Sequence, residues 1–388
     1  MTSKQSLSVC SVRSSYASAL CTFNSAVNWG KSREDFRDTV FLLCGGGSFF
    51  RGGRAIPLCK NVLICSKIIL KNLVGVKICN MSRKLFSVVI FICLFLTACS
   101  NAGGSFESQG YTVDEVNLNI ENISDSYKIV VVNDLHLQIN NSEVSEENSE
   151  FMDNRIAEFS SIGTTTYEKS KKLAEAINEC DSDLVIFAGD MIDFCSKANT
   201  DALNECFQKL TKGYIYLRSD HDLEPYWMEV SDYTDCNLRQ SEISDNSRIL
   251  VYDLGSVIVL GFNMSQNNID SESLKKVKEV FSLNKPIIVA THVPFDSSIN
   301  DDLKLFSEEV RGGRHLYWGS NAEKVPNAEM QEFLNLIYAD DSPVVYVIGA
   351  HLHAKWDGLI SEKITEHIFA PCYMGNVGII NINGATSE

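Results

Sequence analysis

Apolar runs of four to eight residues alternate with segments of helical period along most of the chain, beginning at Val113. Apolar runs of this length predict strands, and apolar positions spaced three and four residues apart predict helices. The predicted strands are Val113–Ile120, Tyr127–Asn133, Leu184–Ala188, Tyr214–Leu217, Arg248–Asp253, Ser256–Phe262, Pro286–Ala290 and Val344–Ile348, with more strands in the last thirty residues. The predicted helices are Tyr167–Cys180, Ala198–Leu210, Ser271–Phe281 and Asn327–Tyr338. The repeated order of strand and helix in the first half favours a largely parallel sheet, so the predicted fold class is α/β with α+β character.

Two segments lack both patterns. Residues 140–166 open with a polar and acidic stretch, which indicates an exposed loop or cap, and residues 295–326 form a long irregular insertion. Within the insertion, Arg311 and Arg314 flank two glycines. Guanidinium groups bind phosphate or carboxylate through two parallel hydrogen bonds, so both arginines are candidate substrate contacts. A solvated loop is the alternative interpretation.

Residues 81–98 have the three parts of a secretory signal peptide: a basic start at Arg83 and Lys84, an apolar run and a small-residue end. The end, Leu96–Cys99, also resembles a bacterial lipobox. That resemblance implies a lipid on Cys99 and an exported lipoprotein anchored to the outside of the cytoplasmic membrane. An uncleaved membrane anchor is the alternative, although spanning a bilayer takes about 20 apolar residues.

The signal peptide divides the chain into parts. A signal peptide does not normally begin at position 81, so residues 1–80 are predicted to be a non-native upstream extension. A disordered or metal-binding extension is the alternative. Residues 99–112 are small and polar, as in a tether, and residues 113–388 have the length of one large domain.

Charge and cysteine content narrow the choice of partners. Residues 99–388 hold 21 lysines and arginines against 47 aspartates and glutamates. Such a field repels nucleic acid but permits a small phosphorylated substrate, because a bound metal dominates the charge inside a site. No protein partner is implied.

The cysteines after Cys99 are Cys180, Cys195, Cys206, Cys236 and Cys372. One pair could form a disulfide outside the cytoplasm, and the sequence leaves open which pair this is.

Five of the seven histidines fall in five short motifs that follow predicted strands. The motifs are D-L-H at Asp134–His136, G-D-M-I-D at Gly189–Asp193, S-D-H-D at Ser219–Asp222, T-H at Thr291–His292 and H-L-H at His351–His353. Strand ends are where open α/β sheets place their ligand sites. Imidazole and carboxylate are ligands for divalent transition metals, and an extended backbone would direct Asp134 and His136 to one side. The motifs therefore predict a metal centre.

The order of the five motifs resembles the calcineurin-like metallophosphoesterase superfamily, over about Tyr127 to Ile380. The resemblance implies a four-layer α/β/β/α metallophosphatase sandwich with two divalent ions, Mn, Fe, Zn or Co, at the sheet edge. It assigns Asp134, His136 and His353 to the first metal, Asp190 to a bridge, and Asp220, His292 and His351 to the second metal. It further implies that His221 is the general acid with Asp222 orienting its ring, and that a metal-bridging hydroxide attacks phosphorus.

The sequence departs from the family pattern at Asp220, where the family usually has asparagine, and at Ala350, which adds a residue before His351. Asp220 can still supply an oxygen but adds negative charge beside the second metal. The predicted function is hydrolysis of a small phosphoester outside the cytoplasm. The alternatives are a nucleotide phosphodiesterase or nuclease, and a scaffold that keeps the fold without catalysis.

Overall fold

The computed structural model describes residues 104–139, 149–160, 164–225, 233–263, 267–313, 316–317 and 325–385. The strands in these residues are β1 (Thr112–Glu121), β2 (Tyr127–Val132), β3 (Leu184–Phe187), β4 (Tyr214–Tyr216), β5 (Ile249–Asp253), β6 (Ile258–Phe262), β7 (Ile287–Thr291), β8 (Val344–Gly349), β9 (Trp356–Leu359), β10 (Thr365–Ile368) and β11 (Asn376–Ala385). The helices are α1 (Gly104–Ser108), α2 (Ser149–Phe159), α3 (Thr166–Glu179), α4 (Lys197–Gln208), α5 (Asp220–Leu223), α6 (Thr234–Arg239), α7 (Ser271–Phe281), α8 (Asp302–Arg311) and α9 (Ala328–Tyr338).

Two sheets pack face to face, each with helices on its outer side. Successive side chains of a strand point to opposite faces, so an apolar run buries both faces of its sheet. Val130 and Val132 of β2 lie in the core with α3 and α4, whereas Ile129 and Val131 lie in the core between the sheets. The second sheet repeats this arrangement, with its outer face packed on α7 and α9. The predicted four-layer α/β/β/α sandwich is confirmed.

The strand order brings the motif-bearing strand ends to one edge. The first sheet has the order β1-β11-β2-β3-β4 and the second β5-β6-β7-β8-β10-β9. Strands β2, β3 and β4 are parallel neighbours, as are β6, β7 and β8. Strands β5 and β6 are antiparallel. The carboxyl ends of two parallel sets therefore open on the same side of the sandwich.

Two predicted loops contain helices. Helix α2 lies inside the segment expected to be a loop, and it buries Met152 and Phe159. Helix α8 lies inside the insertion expected to be irregular, and it ends at Gly312, whose φ of +75° is the left-handed cap that glycine favours. The polar and acidic stretch that led to the loop prediction for residues 140–166 lies mostly before α2, which itself carries five apolar residues among eleven.

The folded part begins earlier than predicted. The predicted tether contains α1, with Phe106 fully buried, and the Tyr111 hydroxyl donates to the Lys169 carbonyl. Residues 1–80 and the predicted signal peptide at 81–98 lie outside the described residues. Among the helices of the described part, none combines the length and apolarity needed to cross a membrane.

Glu366 gives the second sheet a testable pH dependence. Its side chain is fully buried, Oε1 accepts from the Phe295 amide, and Oε2 has no hydrogen-bond partner among the residues that the structure describes. Burial, reinforced by the charge of Asp296, raises the pKa of Glu366 well above its usual range. A carboxyl group whose pKa is raised on folding stabilises the folded protein at low pH. This stabilisation is lost as the pH rises from the pKa in the unfolded protein, about 4.3, towards the pKa in the folded protein. The loss is at most about 1.4 kcal/mol per pH unit.

Glu366→Gln imitates the neutral carboxyl at every pH. We expect the variant to match the wild type below pH of about 4 and to become the more stable of the two as pH rises. Urea unfolding across the pH range measures the difference in the free energy of unfolding. Parallel pH profiles for the two proteins would contradict the assignment of a protonated Glu366.

Candidate metal centre

The loops that follow β2 and β3 pair with each other and carry three of the predicted ligands. The Asp134 amide donates to the Gly189 carbonyl at 3.0 Å, and the His136 amide donates to the Asp190 carbonyl at 2.9 Å. These bonds extend the parallel register of the two strands beyond the sheet. The apolar strands therefore set the positions of the loops, and the loops set the positions of the polar side chains.

Several of the predicted ligands have left-handed backbone conformations. The φ angles are +47° for Asp134 and His136, +52° for Asp190, +68° for His351 and +53° for His353. The extended backbone expected for Asp134 and His136 is therefore wrong. Each left-handed residue other than glycine costs about 1–3 kcal/mol, and such strain persists where the surroundings impose it, most often at functional sites.

Asp134, His136, Asp190 and His353 form the first cluster, with one ligand atom of each within 4.8 Å of the others. The Nε2 atoms of His136 and His353 lie 3.1 Å apart, and Asp134 Oδ1 lies 3.4 Å from His353 Nε2. Nitrogen ligands bind zinc at about 2.0–2.1 Å, so two nitrogens at this separation can hold one ion. The first cluster contains all the residues that the resemblance assigned to the first metal and the bridge.

Asp190, His292 and His351 form the second cluster, also within 4.8 Å. His292 Nε2 lies 3.1 Å from His351 Nδ1 and 3.2 Å from Asp190 Oδ2. Because Asp190 Oδ2 is also 3.6 Å from His136 Nε2, the same oxygen faces both clusters. This is the position that a bridging carboxylate requires.

The chemistry of both clusters fits divalent cations. Asp134 Oδ1 is fully buried and accepts no hydrogen bond from the described part of the chain, although it lies 3.4 Å from His353 Nε2. Burial alone would lower the pKa of His292, but the carboxylates of Asp190, Asp134 and Asp220 raise it to about 10. A field that favours a proton so strongly also favours a metal ion, whose binding displaces protons from its ligands. The residues present can therefore hold two metals.

Asp220 lies outside the second cluster as defined by that distance, although the resemblance assigned it to the second metal. Its charge still helps to raise the pKa of both His292 and His221, so its carboxylate acts on the site. Its role as a ligand stays a prediction.

His221 lies beside the first cluster, with its ring 5.0 Å from that of His136. Its Nδ1 donates to the Asp193 carbonyl at 2.8 Å, which leaves Nε2 for proton transfer. Burial opposes the charged ring, but Asp190, Asp220 and Asp193 raise the pKa of His221 to about 9. The protonated ring is the form that a general acid needs at neutral pH.

Asp222 does not orient His221, so that prediction is wrong. Its carboxylate accepts six hydrogen bonds, from the amides of Asp190, Met191, Ile192 and Ser219 and from the hydroxyls of Tyr216 and Ser219. Asp222 thus ties the loop after β3 to the turn after β4. The partner that fixes the His221 ring is the backbone of Asp193.

The structure describes only one of the two arginines that were predicted to contact the substrate. Arg311 ends α8, and its charge opposes the effects of burial, Asp134 and Glu158, which raise the pKa of Tyr373. Tyr373 lies edge-on to His353, with ring centroids 5.4 Å apart. Arg314 lies outside the described residues. Substrate binding by either arginine stays a prediction.

Sequence reasoning missed Arg155 and Phe159, two of the side chains that support the first cluster. Asp193 accepts from His136 Nδ1 at 3.0 Å, Phe159 stacks on the His136 ring at 4.2 Å, and Arg155 bonds to Asp193. The second aspartate of G-D-M-I-D was an available signal for Asp193. Nothing in the sequence singled out Arg155 or Phe159, because both belong to a segment without a motif.

A disulfide joins Cys195 to Cys236, which settles the pairing that the sequence left open. Cys195 follows the loop of Asp193, and Cys236 lies in α6, whose neighbour Gln240 donates to the Asp222 carbonyl. Closing a span of 41 residues contributes about 4 kcal/mol in the chain-entropy description. The disulfide therefore restrains the segment between Cys195 and Cys236, which contains His221.

The comparison with protein families agrees with this geometry. The model of the calcineurin-like phosphoesterase family matches residues 127–355, which include the five motifs. The chain belongs to that family. It is therefore a phosphoester hydrolase with a site for two metals.

Solved structures with a similar fold include a dimetal phosphatase from Danio rerio, at 10% identity and TM-score 0.35, covering 64% of this chain and 88% of that one. A phosphopantetheinyl hydrolase from Mycobacterium tuberculosis has 10% identity and TM-score 0.36, with 63% and 89% covered. A 5′-nucleotidase from Candida albicans has 13% identity and TM-score 0.34, with 70% and 48% covered. TM-scores this low say nothing about the substrate of this chain. No curated protein sequence matches it.

Gly189→Ala tests the packing of the second cluster. Gly189 has φ +89°, and a Cβ there would lie 2.5 Å from His292 Nδ1, so the substitution must displace the ring. We expect the affinity for one of two Mn²⁺ ions to fall at least about tenfold, as for lost support of a ligand. Gly110→Ala is a matched control, because Gly110 has φ +90° with nothing within 4 Å. Equal metal binding by the two variants would contradict the account.

Proposed function

We propose that this chain hydrolyses a small phosphomonoester or phosphodiester outside the cytoplasm. The observation that carries the proposal is the sharing of Asp190 by two ligand clusters, with His221 beside the first. When bound, two divalent ions supply the charge that neutralises the phosphate and the acidity that prepares the nucleophile. Asp134, His136 and His353 would hold one ion, His292 and His351 the other, with Asp220 assisting.

His221 would donate a proton to the leaving oxygen. The bond from Nδ1 to the Asp193 carbonyl fixes the ring, so that Nε2 carries the proton that moves. In the metal-free protein the carboxylates of Asp190, Asp220 and Asp193 raise the pKa of His221 to about 9 against the opposing effect of burial, which favours the protonated ring. An alkoxide leaving group gains most from this proton.

The charge of the chain supports a small substrate over a polymer. The full sequence has a net charge of −16, and the excess of acid is confined to the residues after the predicted signal peptide. A nuclease needs a basic surface that follows several phosphates. A small ester needs only the metals and a few donors, which Arg311 can join.

The proposed location is the outer side of the cytoplasmic membrane, with a lipid on Cys99. The lipobox-like end of the predicted signal peptide supports it. The Cys195–Cys236 disulfide also supports it, because disulfides persist mainly in oxidising compartments.

His221→Ala tests the proposed acid. With Mn²⁺ bound, we expect kcat for an alkyl phosphate to fall about 10²–10⁴-fold. The loss should be much smaller for p-nitrophenyl phosphate, whose leaving group needs no proton. His367→Gln, a histidine remote from the clusters, is the control. Equal losses for both esters would rule out the acid role, and no turnover by the wild type on any monoester or diester would rule out the proposed function.

Metabolic labelling with palmitate tests the location. We expect palmitate label on the wild-type protein in the cell envelope of bacteria that express it. Cys99→Ala should abolish this label. Cys79→Ala should leave it unchanged. A wild-type chain without label, or label retained by Cys99→Ala, would contradict lipidation at Cys99.

A further inference from the structure

The ring of His136 is held on its edge and on its face by residues outside both clusters. On the edge, His136 Nδ1 donates to Asp193 Oδ1 at 3.0 Å. On the face, the ring of Phe159 lies parallel to the imidazole, with an interplanar angle of 1° and centroids 4.2 Å apart. The ring therefore has little freedom to turn.

Arg155 contacts both of these supports. Its Nη2 donates to Asp193 Oδ1 at 2.5 Å and its Nε to Asp193 Oδ2 at 3.1 Å. Its guanidinium carbon lies 4.6 Å from the centroid of the Phe159 ring, and that same ring stacks on His136. Arg155, Asp193, Phe159 and His136 thus form a closed circuit of contacts, which we name the His136 clamp.

The His136 clamp depends on helix α2. Arg155 and Phe159 are four residues apart, so they lie on one face of the helix, one turn from each other. Met152, one turn earlier on that face, is fully buried, and its sulfur accepts from Gln138 Nε2 at 3.3 Å. Gln138 follows the D-L-H motif, so the helix docks on the loop that carries the ligands.

The orientation of His136 decides what its second nitrogen can bind. With Nδ1 committed to Asp193, Nε2 points at His353 Nε2, 3.1 Å away, and at Asp190 Oδ2. Partners that orient a ligating histidine in this way typically contribute 10–100-fold to metal affinity. The Asp193 side chain is fully buried, whereas that of Arg155 is 19% exposed, so the arginine connects the clamp to the surface.

We propose that Arg155 is a positioning residue for the first metal site, acting through Asp193 and Phe159 on His136. Its guanidinium donates to Asp193 through Nε and Nη2 and to Glu158 through Nη1, and it contributes to metal affinity at His136, not to substrate binding. The inference rests on the proposed role of His136 as a ligand of the first metal. It gives α2, which carries no motif, a part in the reaction.

Titration calorimetry with Mn²⁺ on the metal-stripped protein tests this directly. We expect Arg155→Met to weaken one of two binding events by about 10–100-fold and to leave the other within about twofold. Phe159→Leu should weaken the same event, and Arg155→Lys should restore part of the affinity, because lysine keeps the charge but not the paired hydrogen bonds. Glu150→Gln is the matched control, because Glu150 is an exposed carboxylate on the same helix, and this variant should bind both ions normally.

Kinetics and spectroscopy separate positioning from general damage. At saturating Mn²⁺, Arg155→Met should regain most of its kcat with little change in KM, and the visible spectrum of the Co²⁺ protein should change at one site only. Arg155→Met binding both ions as tightly as Glu150→Gln would overturn the inference, as would a raised KM at saturating metal. If the wild type hydrolyses no ester but Arg155→Met still loses one ion selectively, the clamp stands and the proposed function fails.

Discussion

The structure depends on one constraint: two pairs of imidazole nitrogens are held close together at the site. Each pair is separated by 3.1 Å, and a buried carboxylate oxygen of Asp190 faces both. Lone pairs and negative charge at such distances repel unless a cation, a proton or a metal, lies between them. The raised pKa of His292, achieved by Asp190 against the effect of burial, is one expression of that demand. Two metal ions satisfy it better than protons can.

The surrounding fold keeps these groups together despite their repulsion. Parallel strands from two sheets deliver the loops to one edge, and the six bonds of Asp222 tie the loop after β3 to the turn after β4. A carboxylate that accepts so many hydrogen bonds holds the two segments rigidly together. Removing it would leave several buried amides unpaired, and each would cost about 1–3 kcal/mol of stability. The left-handed backbone at Asp134, Asp190 and His353 is the local strain that this rigidity sustains.

The sequence predicted the parts of this arrangement that follow from local pattern. The apolar runs of β2, β3, β7 and β8 are buried on both faces, so their strands were visible in composition alone. The motifs placed Asp134, His136, Asp190, His292, His351 and His353 at strand ends, and these six residues make up the two clusters.

What the sequence could not predict depends on contacts between distant residues. Arg155 and Asp193 are 38 residues apart, and the polar and acidic residues that precede helix α2 made the whole segment resemble a loop. The role given to Asp222 was wrong because adjacency to His221 does not reveal that a one-turn helix directs the carboxylate away from the ring. The left-handed φ angles were equally invisible, since a positive φ is uncommon even for aspartate and histidine.

The central claim is that Asp190 joins two metal sites at the ends of both sheets. Crystals of the Mn²⁺-loaded protein, measured at the manganese absorption edge, test it most directly. The account predicts two anomalous peaks separated by about 3.5–4 Å, one beside His136 and His353 and the other beside His292 and His351. A single peak, or peaks away from Asp190, would contradict it.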